Sequence, residues 1–363
     1  MNNKIGIVVD YQFASQHKPP YPHPAFFSYE NPLRIASILN LLEEKKVFEN
    51  KRIMKLIPRT INESIIRLAH SQYHIDTIKR LSNYGNGILG EEVFISKNTF
   101  EIAKKAIGGT IEAIEAVLEQ RVNQAFALVR PPGHHALRET ASGLCIFNNI
   151  ATSLLYLREK RNYKKKIAII DIDDHFGDGI AQYFYEDPSV LYFSVHEFDF
   201  VDGDIGFITE LGTGQGKGST INFPIPHDTT DQNFLEFFDI LTPILYEFKP
   251  DLIIVAAGFD MYFADQIGNC SLTSNSYYNF SKRILEISKN ICDGKLVFVL
   301  EGGYNLIGLP YCVYAVLKAL LNEQYNQPIF ERIDFGKYYK KIEIDKIQKI
   351  LRKLLKNHWK SIK

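Results

Sequence analysis

The sequence predicts an α/β protein, a single domain in which helices flank a parallel sheet. Three observations carry this. Short apolar runs rich in β-branched residues, such as Ile5–Asp10, Gln124–Val129 and Lys166–Asp171, lack polar alternation, as strands covered on both faces do. Longer stretches between them place apolar residues at helical spacing. No internal repeat and no Pro/Gly/Ser-rich linker interrupts the alternation.

The first strand ends at Asp10 in a polar, proline-rich loop reaching Pro24, where His17 and His23 read as loop hydrogen-bonding residues. Pro32-Leu33-Arg34 opens a helix to about Lys46, with Ile35, Ile38, Leu39 and Leu42 on one face. Ile53–Ile57 reads as a second strand, Ile61–Leu68 and Asp76–Leu81 as short helices, and Asn83–Glu92, rich in Gly and Asn, as a surface loop. Phe100–Glu119 is a long helix with Ile102, Ala106, Ile107, Ile111, Ile114 and Val117 inward.

Strand Gln124–Val129 runs into Arg130-Pro131-Pro132-Gly133-His134-His135-Ala136. The Pro-Pro-Gly turn fixes the backbone, so both imidazoles occupy a rigid segment ahead of Ala141-Ser142-Gly143 and are candidate proton-transfer groups. After a helix over Asn148–Lys160, the run Lys166–Asp171 ends in four carboxylates, one imidazole and two glycines. Asp171, Asp173 and His175 stand at period two and project to one side if the chain stays extended. Carboxylates so close repel unless a cation lies between them, which suggests a divalent metal. Solvated acids at a strand end would explain Asp-x-Asp alone; the matching histidine with Gly177 and Gly179 favours the metal.

Strand Ser189–Val195 ends in Ser194-Val195-His196, and the glycine-rich loop behind it opens no helix, unlike a phosphate cradle. Phe234–Phe248 is helical, and strand Leu252–Ala256 ends in Ala257-Gly258-Phe259-Asp260, an acid placed where a further ligand is needed. Helix Tyr277–Asn290 precedes strand Leu296–Leu300, whose end, Glu301-Gly302-Gly303-Tyr304-Asn305, presents Tyr304 at the same sheet edge. Pro310–Leu321 is helical. From Ile344 an amphipathic basic helix carries Ile347, Ile350, Leu351, Leu354 and Leu355 on one face; it is expected to dock on the body, a partner or membrane surface being the alternative.

With 363 residues, 45% of them hydrophobic and 13% aromatic, the chain can bury a large core. Lys+Arg 42 balance Asp+Glu 42, which gives no reason to expect nucleic acid or an anionic membrane as partner. Cys145, Cys270, Cys292 and Cys312 form no Cys-x-x-Cys pair, so neither a disulfide framework nor a thiolate zinc site is signalled, and a reducing compartment fits. Met1–Asp10 lacks the features of a signal peptide and no apolar run spans a bilayer, so a cytoplasmic location is expected.

Together with Gly143-Leu144-Cys145-Ile146-Phe147-Asn148-Asn149, these motifs resemble the zinc-dependent histone deacetylase family, which includes acetylpolyamine amidohydrolases and prokaryotic deacetylase-like proteins. The resemblance covers residues 5 to 320. It implies the arginase/deacetylase fold with a central parallel sheet of about eight strands, a catalytic domain over residues 1–320 and a C-terminal extension over 321–363. It also implies that Asp173, His175 and Asp260 hold Zn2+, with Fe2+ as an alternative. His135 then matches the general base and acid, His134 an electrostatic helper, and Asp171 and Asp178 the acids that orient His134 and His135 respectively. Tyr304 matches the oxyanion donor, Arg34 an arginine behind the metal, and Gly143 a backbone carbonyl position near the substrate tunnel. Ser194 with the backbone of Asp171, Asp173 and His175 matches a structural K+ site. The implied substrate is an N-acetyl or short acyl amide on a lysine of a protein or peptide, with acetylpolyamines as the alternative.

Three departures from the family pattern bear on the pocket. Leu144 replaces an aromatic tunnel wall, Phe176 replaces a frequent second histidine, and Glu197–Gly212 lacks the usual Phe-Pro-Gly-Thr-Gly run, leaving Phe198, Phe200 and Phe207 as candidates for the opposite wall. Two rival readings are less favoured. A binuclear manganese ureohydrolase needs more bridging carboxylates than the motifs supply, and a silent binding module need not keep the ligands, both histidines and the tyrosine.

Overall fold

Eight of the apolar runs find partners in one sheet, and the computed structural model describes it within residues 3–19, 29–89, 93–333 and 341–363. His23 lies outside the described residues. Numbered along the chain, the strands stand in the order β2 (Ile53–Leu56), β1 (Ile5–Val8), β5 (Gln124–Ala127), β10 (Leu296–Leu300), β9 (Leu252–Ala257), β6 (Ile167–Asp171), β7 (Val190–Glu197) and β8 (Thr220–Ile225). Every pairing is parallel. β1, β5, β6, β9 and β10 are buried at every position, as their unbroken apolar sequences require.

The crossovers are helices α1 (Leu33–Glu44), α2 (Glu63–Ala69), α3 (Gln72–Tyr84), α4 (Thr99–Leu118), α5 (Asn149–Arg161), α6 (Asp178–Phe184), α7 (Asp231–Phe234), α8 (Phe238–Phe248), α9 (Ser274–Cys292) and α10 (Gly308–Leu320). Local chemistry sets several ends. Ser71, Asn148 and Thr273 accept backbone N–H bonds at the starts of α3, α5 and α9, whereas Gly85, Asn162 and Asp293 take left-handed conformations at their ends. α1, α9 and α10 pack together, as do α2, α4 and α5. A smaller second core joins Ile66, Ile75, Ile78, Val93 and Ile95 to Phe100, Ile146 and Phe147.

Four features differ from expectation. The Gly/Asn-rich segment read as a loop forms β3 (Asn86–Leu89), paired antiparallel with β4 (Val93–Ser96), because Ile88 and Leu89 can face Phe94 and Val93 across the ladder. α3 runs longer than its apolar spacing suggested. The short helix α6 directly follows the metal motif, a place read only as a glycine turn. Finally, β8 went unrecognised behind its glycine loop because it contains Pro224; proline is tolerated there since β8 is the sheet edge.

That edge does not stand bare. α11 (Lys341–Leu355) packs against β8 and α8, burying Ile344, Ile347, Leu351 and Leu355, while Trp359 Nε1 donates to the Gly218 carbonyl at 2.9 Å. Ile350, expected on the apolar face, is instead 46% exposed, because the buried stripe is narrower than the apolar one. No helix among the described residues is long and apolar enough to cross a membrane.

β5, β10, β9 and β6 are neighbours at the middle of the sheet, so the segments leaving their carboxyl ends, which begin at residues 128, 301, 258 and 172, converge on one edge. Ligand sites of parallel sheets form in that position.

Candidate active site

β6 stops at Asp171, and the chain turns before Asp173, which separates the two acids that a continued strand would have placed side by side. Asp171 turns toward the tandem histidines. Its Oδ2 lies 3.3 Å from His134 Nδ1 and accepts from the Tyr192 hydroxyl at 2.9 Å, and its Oδ1 accepts from Asp173 N at 3.1 Å. Asp171 is thereby set apart from Asp173, His175 and Asp260, the set the family resemblance implies, whose donor atoms all lie within 4.8 Å of one another.

Within that group His175 Nδ1 is 3.3 Å from Asp173 Oδ1 and 3.4 Å from Asp260 Oδ2. Asp173 Oδ2 accepts from Gly302 N at 2.8 Å, and Asp260 Oδ1 accepts from Asp174 N at 2.9 Å. Among the described residues, Asp260 Oδ2 is buried with no well-formed hydrogen bond, its nearest neighbour His175 Nδ1 standing at 3.4 Å, which leaves it available to an ion. A Cβ on Gly302 would stand 2.1 Å from that oxygen and 2.6 Å from Asp173 Oδ2, so only glycine lets the backbone close over the acids. Two carboxylates and an imidazole fit Zn2+ or Fe2+, both of which accept such O/N sets.

The tandem histidines differ sharply in charge. Burial works against the His134 imidazolium, but Asp173 and Asp171 outweigh it and push its pKa up to about 10. His135 is held below the ordinary imidazole value by burial and by charged His134, partly offset by Asp178, whose Oδ1 lies 2.8 Å from its Nδ1. Without a metal the electrostatics thus favour a cationic His134 and a neutral His135, and a neutral imidazole is able to accept a proton. Gly143 packs on the His135 ring with φ at +50°, and a Cβ there would sit 2.2 Å from Cδ2, so glycine is needed on both counts.

Tyr304 is buried beside the acids, and its backbone N donates to Asp265 Oδ2 at 2.7 Å. Burial raises its pKa well above the ordinary phenol value, with Asp260 and Asp173 adding to it against Arg34, so the hydroxyl keeps its proton. Arg34 stands behind this loop. It is fully buried, donates to the carbonyls of Gly303 at 2.7 Å and Glu301 at 2.5 Å, and lies 4.7 Å from the Tyr304 ring centroid.

Sequence reasoning missed several supports of this arrangement. Glu301 Oε2 accepts from Gly133 N at 2.6 Å and His134 N at 3.1 Å, holding the histidine turn from the neighbouring strand; burial raises its pKa to about 7 although His134 opposes this. Glu30 pairs with Arg130 at 2.7 Å, with Arg34 at 3.3 Å and with His17 at 3.3 Å in a buried network. Only the buried Arg before Pro-Pro-Gly could have hinted at it.

The remaining candidates are placed as follows. Ser194 lies directly across the ladder from Asp171, with its Oγ 2.9 Å from His196 Nδ1. Leu144 is half-buried with φ at +65°. Phe176 packs against Tyr192 and His196 and contributes no atom to the metal-capable groups. Phe198 is buried and meets Phe200 at a tilt and Phe207 edge-on, the latter two being 55% and 46% exposed.

The histone deacetylase domain profile matches residues 28–320. The chain belongs to the histone deacetylase family. This family member is 36% identical over 317 residues to a probable deacetylase of Archaeoglobus fulgidus, covering 87% of this chain and 86% of that one. It is also 36% identical over 283 residues to the polyamine deacetylase HDAC10 of Danio rerio, across 74% of this chain but 41% of the relative. Among solved structures, the crystal structure of the HDA15 HD domain superposes with a TM-score of 0.85 at 27% identity, covering 99% of this chain and 97% of that one. The deacetylase-family α/β fold with its single eight-stranded sheet is thus shared.

Proposed function

We propose that this deacetylase-family chain hydrolyses the N-acetyl, or another short acyl, amide of a lysine side chain with a single divalent ion, zinc in the first instance, held by Asp173, His175 and Asp260. The observation that supports it most is the coincidence of that ligand group with a neutral histidine and a protonated phenol at one sheet edge. Such an ion, when bound, supplies Lewis acidity toward an amide carbonyl and acidifies water. His135 Nε2 accepts the proton of the attacking water, Nδ1 being turned to Asp178, and the resulting imidazolium returns a proton to the departing amine. Tyr304 donates its hydroxyl hydrogen to the oxygen that gains negative charge. His134, whose Nδ1 lies 3.3 Å from Asp171 Oδ2, is an electrostatic helper to the same charge development.

Ser194 with the backbone of Asp171, Asp173 and His175 is the position we assign to a structural potassium ion, on the strength of the Asp171–Ser194 pairing. Arg34, Gly143 and Leu144 line the inner pocket in this reading, and residues 321–363 form an extension whose basic amphipathic helix docks on the catalytic domain. An acetyl-lysine peptide and an acetylated polyamine, compared by kcat/KM, test the substrate. A peptide preference is expected; faster turnover of the polyamine would move this chain to small-molecule substrates, and no turnover of either would overturn the assignment.

A further inference from the structure

A second group of metal-capable side chains stands next to the first and has no part in the chemistry above. Asp174 lies in the turn after β6, Glu197 is the last residue of β7, and Cys270 sits in the loop that follows Asp260. Their donor atoms lie within 4.8 Å of one another, the same closeness as in Asp173, His175 and Asp260. We propose that Asp174, Glu197 and Cys270 bind a second divalent transition-metal ion, separate from the catalytic one.

Asp174 is the strongest reason. It is 2% exposed, and its Oδ1 is buried with no hydrogen-bond partner among the described residues. Its backbone is held fast, with N donating to Asp260 Oδ1 at 2.9 Å and O accepting from Glu197 N at 2.8 Å, so the carboxylate cannot swing out to solvent without breaking the strand end. Two buried acids that face each other must share a proton or hold a cation between them, and a cation of sufficient affinity displaces the proton. The third member, Cys270, is 3% exposed; its thiol is only a weak donor to Asp174, whereas its thiolate is a strong, soft ligand for a transition metal.

The donor set also selects the ion. Magnesium and calcium take oxygen alone, whereas a thiolate with two carboxylates suits zinc or ferrous iron. Glu197 is already oriented as a ligating carboxylate is, with Oε2 accepting from Asn269 N at 3.1 Å, Oε1 from Asn269 Nδ2 at 3.1 Å, and His227 Nδ1 against Oε1. His227 is about half exposed, which gives the ion a route from solvent. The two ligand sets share no residue, so this is not the bridged binuclear centre of a ureohydrolase. Its expected effect is structural: the ion would tie the 261–273 loop to the ends of β6 and β7.

The test uses the full chain, stripped with a chelator and reloaded with Zn2+ or Co2+, and reads metal per chain and the near-ultraviolet thiolate-to-cobalt band. Wild type is expected to hold two equivalents and show the band. Asp260→Asn, which keeps the Oδ1 acceptor for Asp174 N, should lose one equivalent and retain the band. Cys270→Ser and the isosteric Asp174→Asn should each lose one equivalent, and Cys270→Ser should lose the band. One equivalent in wild type, a band that survives Cys270→Ser, or no metal left in Asp260→Asn would each overturn the proposal. Far-ultraviolet circular dichroism confirms folding, and Asp174→Asn carries the test should Cys270→Ser misfold.

Discussion

Replacing Asp178 by Asn probes the proton-transfer pair most directly. The 2.8 Å contact joins a carboxylate to the ring nitrogen of His135 that faces away from the reaction, and Asn preserves its size and one acceptor while removing the charge. A hydrogen bond to a charged partner contributes about 1.5–3 kcal/mol, and loss of that support where His135 becomes imidazolium corresponds to a fall of about 10- to 100-fold in kcat. The pH dependence carries the sharper signature. His135 must be neutral to act, so activity rises with pH through its pKa, which lies below the ordinary imidazole value of about 6.5. Because Asp178 raises that pKa, its removal moves the acid limb of the kcat/KM profile to lower pH. The assay is deacetylation of an acetyl-lysine peptide across pH, with metal content measured in parallel. Unchanged kcat and an unmoved acid limb at full metal occupancy would refute the assignment of His135 as base.

Tyr304→Phe removes a single donor from the forming oxyanion and should lower kcat by about 100- to 1,000-fold with metal content unchanged; near-normal turnover would take Tyr304 out of the reaction. Arg130→Ala leaves Glu30 buried without its bidentate partner and frees the carbonyls of Phe13, Gln16 and His17, so stability should fall by about 3–5 kcal/mol, read as an earlier thermal transition. His70 is pushed down to about 3, first by burial and then by His74, against the Leu137 carbonyl that its Nδ1 meets; its Nε2 accepts from Asn148 N, a role that only the neutral ring can fill. Unfolded, it titrates near about 6.5, so the stability it contributes is complete above that pH and is lost as pH falls from there toward 3. Urea midpoints of wild type should therefore drop more steeply between pH 7 and 5 than those of His70→Gln; parallel slopes would contradict this.

The strand tips were legible because a parallel strand covered on both faces must be apolar, so acids, glycines and histidines at its end stand out. Asp260 and the tandem histidines stand out in that way, and the structure brings both to one sheet edge. Their grouping was less legible: Asp171 and Asp173 look equivalent in a row, and only the turn after β6 sends one toward His134 and the other toward His175. Supports such as Glu301, Tyr192 and Asp265 act across neighbouring strands or loops far apart in the chain, which no local pattern reveals. Cys270 shows the same limit, since its neighbours Asp174 and Glu197 arrive from other segments. β8 was hidden by Pro224, an edge residue that reads as a strand breaker until the sheet's outer boundary is known.

The smaller apolar cluster reaches the catalytic rim through Ile146 and Phe147, only a few residues from Gly143 and Leu144. Sequence drift in β4, α2 or α3 can therefore reshape the mouth of the cleft while β6, β9 and β10 keep the reacting groups fixed. Libraries aimed at altered acyl selectivity therefore belong in that peripheral layer, away from the strand ends that carry Asp173, His175 and Asp260.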